Sequence, residues 1–457
     1  MSIVPVILAA GKGERMCSSL PKVLHTLAGR PLIEYSLDLG REIGDKSALV
    51  VIGHGAEAVR ELVGARARVV MQVEQLGTAH ALLQTAVELR GNVDRVLVWA
   101  ADMPLLSAST LEAVVARQRE NDGPFSMVTA DSGQHRGFGR VLRAEDGSVQ
   151  AVVEQADATV EQRSIRELNV GVYCFEAAWL WEELSRLQPS PAGEYYLTDL
   201  VAVAVAQGCP VGDISADDPM EIIGINTRVH LAEAETELRE RINRGWMERG
   251  VTVLDPANTY IAASVRIGAD TIVLPNTHLE GKTSVGFGCT IGPNSVVRDS
   301  VIADRCRVEY SVLEDATLEE DVDVGPFARL RAGAHLARGV HVGNFGEVKN
   351  SYLGPQVKMG HFCYVGDATV GARTNIAAGT VTCNYGMDKK KHRTEIGEDV
   401  FIGSDTMMVA PVRIGARART GAGSVVTKDV PADSMAVGVP ARVITRGSAL
   451  EGSDDDG

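Results

Sequence analysis

The chain reads as an α/β domain with a mostly parallel sheet, followed by a parallel β-helix. Three observations predict this. A small aliphatic residue returns every six positions through the second half, strand-like and helix-like runs alternate through the first, and the opening apolar run ends in a loop rich in Gly and Lys. The six-residue beat is clear at Leu353, Met359 and Val365, each followed by glycine at Gly354, Gly360 and Gly366. It resumes at Ile396, Ile402, Met408, Ile414, Thr420 and Val426, with Gly397, Gly403, Gly415 and Gly421 in following slots. Val285-Gly286 and Ile291-Gly292 keep the same period. A period of six fits neither the helical 3.6 nor simple strand alternation. It fits a solenoid over roughly Val265 to Val426, in which each hexad is one short strand and one corner. The aliphatic residue then points inward, and Gly, Asn or Asp allows the turn. About three hexads close a coil, and stacked coils bury a core that no single repeat could bury.

Length and composition bound the rest. At 457 residues the chain is too long for one ordinary core, so two domains are expected. A formal net charge of -15 argues against broad binding to nucleic acid or an acidic membrane, but a local Lys/Arg cluster still suits small anionic substrates. The seven cysteines show no CxxC pair and no metal-like spacing, which points to reduced thiols and a cytosolic setting. No signal peptide is apparent, and no apolar run reaches the roughly 18 residues that a membrane span needs.

In chain order, residues 3–10 form an apolar strand that runs into Gly11-Lys12-Gly13-Glu14-Arg15-Met16. Such a loop brings backbone N–H groups close to a phosphate, and Lys12 and Arg15 add charge. It is neither a GxxxxGK[ST] P-loop nor a GxGxxG fingerprint, and a tight turn with no ligand would look similar. Leu20-Pro21-Lys22 places a further cation nearby. Ala48–Ile52 reads as a strand, Ala56–Val63 as a helix, Arg68–Gln72 as a strand, Gly77-Thr78-Ala79-His80 as a helix start, and Arg95–Ala101 as another strand. This alternation predicts a doubly wound parallel sheet with ligands at the carboxyl ends of its strands. Asp102 stands at one such end, where a carboxylate suits Mg²⁺; the competing reading is a cap for a helix beginning near Ser109.

These segments carry a resemblance. LAAGKGERM, LPKVLH, EQLGTAHA, AADMPL, GFGRV, VVEQADAT, LNVG and GEYYLTDL together resemble the uridylyltransferase half of the bacterial bifunctional N-acetylglucosamine-1-phosphate uridyltransferase/glucosamine-1-phosphate acetyltransferases. The resemblance implies a Rossmann-like nucleotidyltransferase domain that uses UTP. Leu8, Ala9, Ala10, Gly11 and Lys22 would hold UTP, with Arg15 on its phosphates, and Gln72, Gly77 and Thr78 would read the uracil. Gly139, Glu154 and Asn169 would hold the N-acetylglucosamine moiety, and Asp102 with Asn226 would bind Mg²⁺. Two departures stand out: Ala100-Ala101 where the family usually shows Tyr-Gly, and Asn169-Val170-Gly171 where it shows Asn-Thr-Gly. The implied chemistry is in-line attack of a sugar phosphate on the α-phosphorus of UTP. It needs positioning and charge neutralisation and no general base, because the attacking oxygen is already anionic.

Residues 228–249 read as an amphipathic linker helix with a stripe of Val229, Leu231, Leu238, Ile242 and Trp246, ended by Gly250. The domains are therefore expected at 1–227 and 250–446, with Asp255-Pro256 marking entry to the β-helix and an acidic, disordered tail at 447–457. The beat breaks between Ile376 and Ile396, where residues 382–392 carry Asn384-Tyr385 and a basic run; a loop thrown out of a rigid repeat favours binding residues. Segments 327–331, 343–349 and 360–364 lie about one coil apart, which predicts Arg331, Lys349, His361 and Tyr364 on one face as a phosphate site with a base in it.

The same segments resemble the acetyltransferase half of that family, which implies a left-handed parallel β-helix of hexapeptide repeats. By resemblance Arg331, Lys349, Tyr364 and Asn375 bind glucosamine-1-phosphate, and His361 takes the proton as the amine attacks acetyl-CoA. A neutral imidazole suits that task, since an ammonium has no lone pair. Ala378, Asn384, Tyr385, Ser404, Ala422 and, more loosely, Arg442 would line the acetyl-CoA channel. A homotrimer with sites shared between chains is also implied. The alternative is a sugar nucleotidyltransferase whose β-helix only oligomerises, against which His361, Lys349 and Asn384-Tyr385 argue; a non-catalytic scaffold would leave Asp102, Asn226 and the Gly11–Lys22 loop without purpose.

Overall fold

The structure, a computed structural model, describes residues 2–44, 47–132, 137–191 and 193–444. The expected acidic tail lies outside them. The chain divides into two compact units, residues 1–238 and 239–457.

The first unit is built on the strand Ile3–Ala9. Ile3 and Ile7 feed one buried cluster and Val4 and Val6 the opposite one, so both faces are covered and the strand reads as a continuous apolar run. Ile3–Ala9 lies between Arg95–Ala100 and Leu49–Ile52, and Arg68–Met71 follows, all parallel. On the other side the mostly parallel sheet takes in its antiparallel member. Glu167–Glu176 enters antiparallel between Arg95–Ala100 and Phe125–Asp131, and Gly212–Ser215 then pairs parallel with Phe125–Asp131. Those additions come after residue 125, beyond the alternating runs on which the expectation rested. The antiparallel hairpin Arg140–Arg143 and Val149–Val153 hangs from the same long strand.

The second unit is a three-sided parallel β-helix. Its three sheets hold 12, 10 and 9 strands, and up to Arg419–Thr420 each strand pairs parallel with the third one before it; Met435–Val437 then follows Arg419–Thr420, and the last strand, Arg442–Ile444, closes its sheet antiparallel. Leu279 pairs with Val297 and Val297 with Leu313, one core residue per coil. Leu353, Met359, Val365, Ile402, Met408 and Val426 are all buried in one continuous core, as the beat requires. Positive φ at the corners is taken by Asp and Asn, as at Asp270, Asn294, Asp405 and Asp433, in line with expectation, and by Gly292 of the beat. Other glycines of the beat serve close stacking instead: a Cβ on Gly397 would lie 2.6 Å from Ala416 N, and one on Gly415 2.3 Å from Ala432 N. The first rung is Thr252–Val253, before Asp255, whose carboxylate instead caps the turn Pro256–Asn258.

The helix Arg228–Glu248 also departs in one detail. Leu231, Ala234 and Leu238 pack with Met16, Leu27 and Leu32 of the first unit, and Ile242 and Trp246 pack on the solenoid core, but Val229 is 65% exposed and outside the stripe. Asn243, fully buried, donates to the carbonyls of Pro256 and Thr259 at 2.8 and 3.0 Å, satisfying the solenoid's open end.

Candidate active sites

In the first unit, the ends of Ile3–Ala9, Arg68–Met71 and Arg95–Ala100 open onto a pocket of about 610 Å³. It is lined by Leu8, Ala9, Ala10, Gly11, Arg15, Lys22, Gln72, Gly77, Thr78, Asp102 and Asn226, so the residues expected at UTP, uracil and metal come together. Ligands at strand carboxyl ends are the rule for such sheets. The loop packs tightly on the lysine segment, since a Cβ on Gly13 would sit 2.7 Å from Lys22 Cβ. Gln72 is buried, and its amide donates to Gly77 O at 3.1 Å with His80 Nδ1 at 3.0 Å, which fixes its orientation at the pocket wall. Gly77 has φ +102, and a Cβ there would stand 2.5 Å from Tyr195 O. That close approach lets Tyr195 pair with the Leu76–Ala79 segment and brings Glu194 and Tyr196 to the pocket.

Gln75, Glu194 and Tyr196 line the pocket and were not singled out, although they lie within the EQLGTAHA and GEYYLTDL segments. Gly139, Glu154 and Asn169 are outside the pocket lining and form a neighbouring group. Asn169 N donates to Gly139 O at 2.9 Å, and a Cβ on Gly139 would lie 3.7 Å from Glu154 Oε2. Glu154 accepts from the Thr198 hydroxyl at 2.9 Å, and burial pushes its carboxyl above the usual range.

Asp102 does not cap the following helix. The helix Ala108–Glu120 is capped by the Ser107 hydroxyl, which accepts from Thr110 N. The Asp102 carboxylate instead accepts from Lys22 Nζ, which also donates to Asn226 Oδ1 at 3.1 Å. Ile225 N donates to Asp102 O at 2.9 Å and holds the two oxygen-bearing segments together. Two hard oxygen donors already converging on a cation fit Mg²⁺, which is typically held by one or two protein oxygens plus substrate phosphates. Among the described residues no group of three or more His, Cys, Asp or Glu is placed to hold a metal ion.

In the second unit the expected single-face cluster is corrected: it spans a corner. Arg331 and Lys349 follow in one column, Arg331 N donating to Val348 O and Lys349 pairing with Gly366, and Tyr364 opens the next strand of that sheet. His361 ends a strand of the adjoining sheet, where it pairs with Asn344, and Asn375 lies on the rung after it. The twelve residues from Lys349 to His361 are two hexads, not a whole coil. Asn344 Oδ1 stands 3.1 Å from His361 Nδ1; an amide oxygen only accepts, so the contact favours the tautomer protonated on Nδ1, whose Nε2 is an acceptor.

The Arg331 guanidinium pairs with Glu347 at 2.8 Å. The Lys349 ammonium is held below its usual range, first by Lys391 and then by Arg331. Three cations thus crowd one place, as an anion site demands. Lys391 had been grouped with an undifferentiated basic run; what places it is the bridge to Tyr385 at the neck of the loop. Asp367 was also missed. Buried, it accepts from Asn384 at 2.6 Å and from Asn350 at 2.5 Å, and so pins the start of the loop. The Tyr364 hydroxyl lies over Gly366, where a Cβ would come within 2.3 Å, and accepts from Asn384 at 3.3 Å. Ala378 and Ser404 stack at successive corners, Ala378 O accepting from Asp405 N and Ser404 O from Gly423 N, with Ala422 beside Gly423 in the next. Tyr385 is exposed, and Arg442 begins the antiparallel strand Arg442–Ile444 beside Met435–Val437.

The comparisons with known proteins match both halves. Residues 5–203 match the MobA-like NTP transferase domain, and residues 393–428 match the bacterial transferase hexapeptide, six repeats. Along the whole chain, the bifunctional protein GlmU of Heliobacterium modesticaldum is 47% identical over 433 residues, 94% of each chain. That of Trichlorobacter lovleyi is 45% identical over 454 residues, 98% of each, and that of an Exiguobacterium species 43% over 433. The chain belongs to the bifunctional GlmU family. As a GlmU-family member it is a uridyltransferase and acetyltransferase in one polypeptide, acting on N-acetylglucosamine-1-phosphate and glucosamine-1-phosphate, and its solenoid is the left-handed β-helix of hexapeptide repeats. No helix among the described residues is long and apolar enough to cross a membrane.

Proposed function

We propose that acetyl transfer occurs in residues 250–446 and precedes uridylyl transfer in residues 1–227. In the first step Arg331, Lys349, Tyr364, Asn375 and the added Lys391 hold glucosamine-1-phosphate. His361 Nε2 accepts a proton from the amine as it attacks the thioester of acetyl-CoA, and the CoA thiolate leaves. Ala378, Asn384, Tyr385, Ser404, Ala422 and Arg442 line the acetyl-CoA channel. In the second step Leu8, Ala9, Ala10, Gly11, Arg15 and Lys22 hold the triphosphate of UTP, Gln72, Gly77 and Thr78 read the uracil, and Gly139, Glu154 and Asn169 bind the acetylated sugar. Asp102 and Asn226 would hold Mg²⁺, which when bound neutralises phosphate charge in the transfer. The chain works in the cytosol as a homotrimer, with acetyl-transfer sites completed by neighbouring chains.

The observation that supports the reading is the corner itself: His361 ends a strand there with Nδ1 against the Asn344 amide oxygen, and the next strand around the corner belongs to the column that carries Arg331, Lys349 and Tyr364. The test follows CoA thiol release from acetyl-CoA with glucosamine-1-phosphate for native protein and His361→Ala, with pyrophosphate release from UTP and N-acetylglucosamine-1-phosphate measured beside it. Thiol release is expected to vanish in the variant while pyrophosphate release persists. A variant that keeps native thiol release removes His361 from the base's role.

A further inference from the structure

Lys22 stands where the reading above puts a divalent ion. Its ammonium contacts the Asp102 carboxylate and Asn226 Oδ1 together, and the Lys22 and Asp102 side chains are each only 14% exposed, so solvent screens the pair weakly. The two oxygens carry one formal negative charge between them, which a single ammonium balances. A divalent ion added with Lys22 still in place would set three positive charges against one negative within a few ångströms. The ion therefore requires the lysine to leave. Lys22 also touches the Gly13 loop that lines the pocket, so a triphosphate seated there would offer the ammonium a new anionic partner.

We infer that Lys22 is a resident counter-cation that keeps the metal site closed until a nucleoside triphosphate arrives. The phosphates take the ammonium, and the divalent ion takes its place on Asp102 and Asn226. The inference rests on the assignment of those two residues to the ion. It makes ion and nucleotide binding positively coupled through one side chain, so the nucleotide-free chain binds a divalent ion weakly.

Mn²⁺ serves as the probe on the full chain, with free ion followed by electron paramagnetic resonance, with and without a non-hydrolysable UTP analogue. Without nucleotide, Lys22→Met is expected to bind Mn²⁺ about tenfold or more tightly than the native protein, and the coupling between Mn²⁺ and the analogue falls by the same factor. Lys22→Gln repeats the measurement should the methionine variant fold poorly, and circular dichroism checks both. Equal nucleotide-free affinity in native and Lys22 variants overturns the proposal, even while Asp102→Asn abolishes binding with the analogue present. Unchanged Mn²⁺ binding in Asp102→Asn, analogue present, instead removes the metal assignment itself.

Discussion

Replacing Asn344 by alanine probes the acetyl-transfer corner while leaving both the imidazole and the cations in place. Asn344 and His361 are cross-rung partners, and the amide oxygen is 3.1 Å from Nδ1. With that oxygen present, Nδ1 carries the proton and the Nε2 lone pair is held ready. Without it the two tautomers redistribute and the ring turns more freely. A hydrogen bond of this kind contributes about 0.5–1.5 kcal/mol, which corresponds to about two- to twelvefold in rate. The assay is thiol release with glucosamine-1-phosphate across a pH series. In Asn344→Ala, kcat is expected to fall within that range while KM for the sugar phosphate holds, because Arg331, Lys349 and Lys391 are untouched. Asn344→Asp keeps the acceptor and adds charge, so it retains kcat and moves the acidic limb of the profile to higher pH. A loss as large as that of His361→Ala, or a rise in KM without change in kcat, would refute the orienting role.

Three further outcomes follow from the first unit. Asp102→Asn removes the charged metal ligand and is expected to cost uridylyl transfer several kcal/mol in barrier, read as pyrophosphate release, while acetyl transfer stays native. Gly77→Ala forces a side chain into φ +102 and onto Tyr195 O, so it destabilises the first unit by about 1–3 kcal/mol and raises KM for UTP, both measurable by thermal melting and kinetics. Burial raises the Glu154 carboxyl, opposed by the Thr198 hydroxyl and aided by Asp199, so the folded chain binds that proton more tightly than the unfolded chain does. The contribution to stability is full below the unfolded value of about 4.3 and is lost as pH rises through the folded value. Glu154→Gln, which keeps an oxygen for Thr198, should therefore melt higher than native protein at neutral pH and equally at low pH; a lower melting temperature at neutral pH refutes the sign.

The solenoid was legible because its period is imposed by packing. Every sixth residue from Ile396 to Val426 faces the core, and no other arrangement buries that pattern. Its glycines were only partly readable because sequence does not distinguish a residue that needs positive φ from one that excludes a Cβ; Gly292 is the first kind and Gly415 the second. The face of His361 was misassigned because coil spacing locates a residue only to within a hexad, whereas register is set rung by rung. Asp367 was hidden because it looks like any corner aspartate, and only the folded loop shows it accepting from Asn384. The first unit's parallel strands were readable from their apolar runs, but the antiparallel Glu167–Glu176 was not, since direction is decided by connections rather than composition.

The long loop after Cys383 has a consequence for how such a scaffold accommodates change. Thr369 pairs with Glu395 across 26 residues, whereas Tyr352 pairs with Thr369 across 17 and Glu395 with Arg413 across 18. The extra length leaves at one corner and returns to it, and the ladder on either side continues in step. Each coil takes its register from its immediate neighbours, so added segments behave as side branches on a rod. Chemistry at that corner is thus free to be lengthened, shortened or exchanged as a module while the rod supplies unchanged footing.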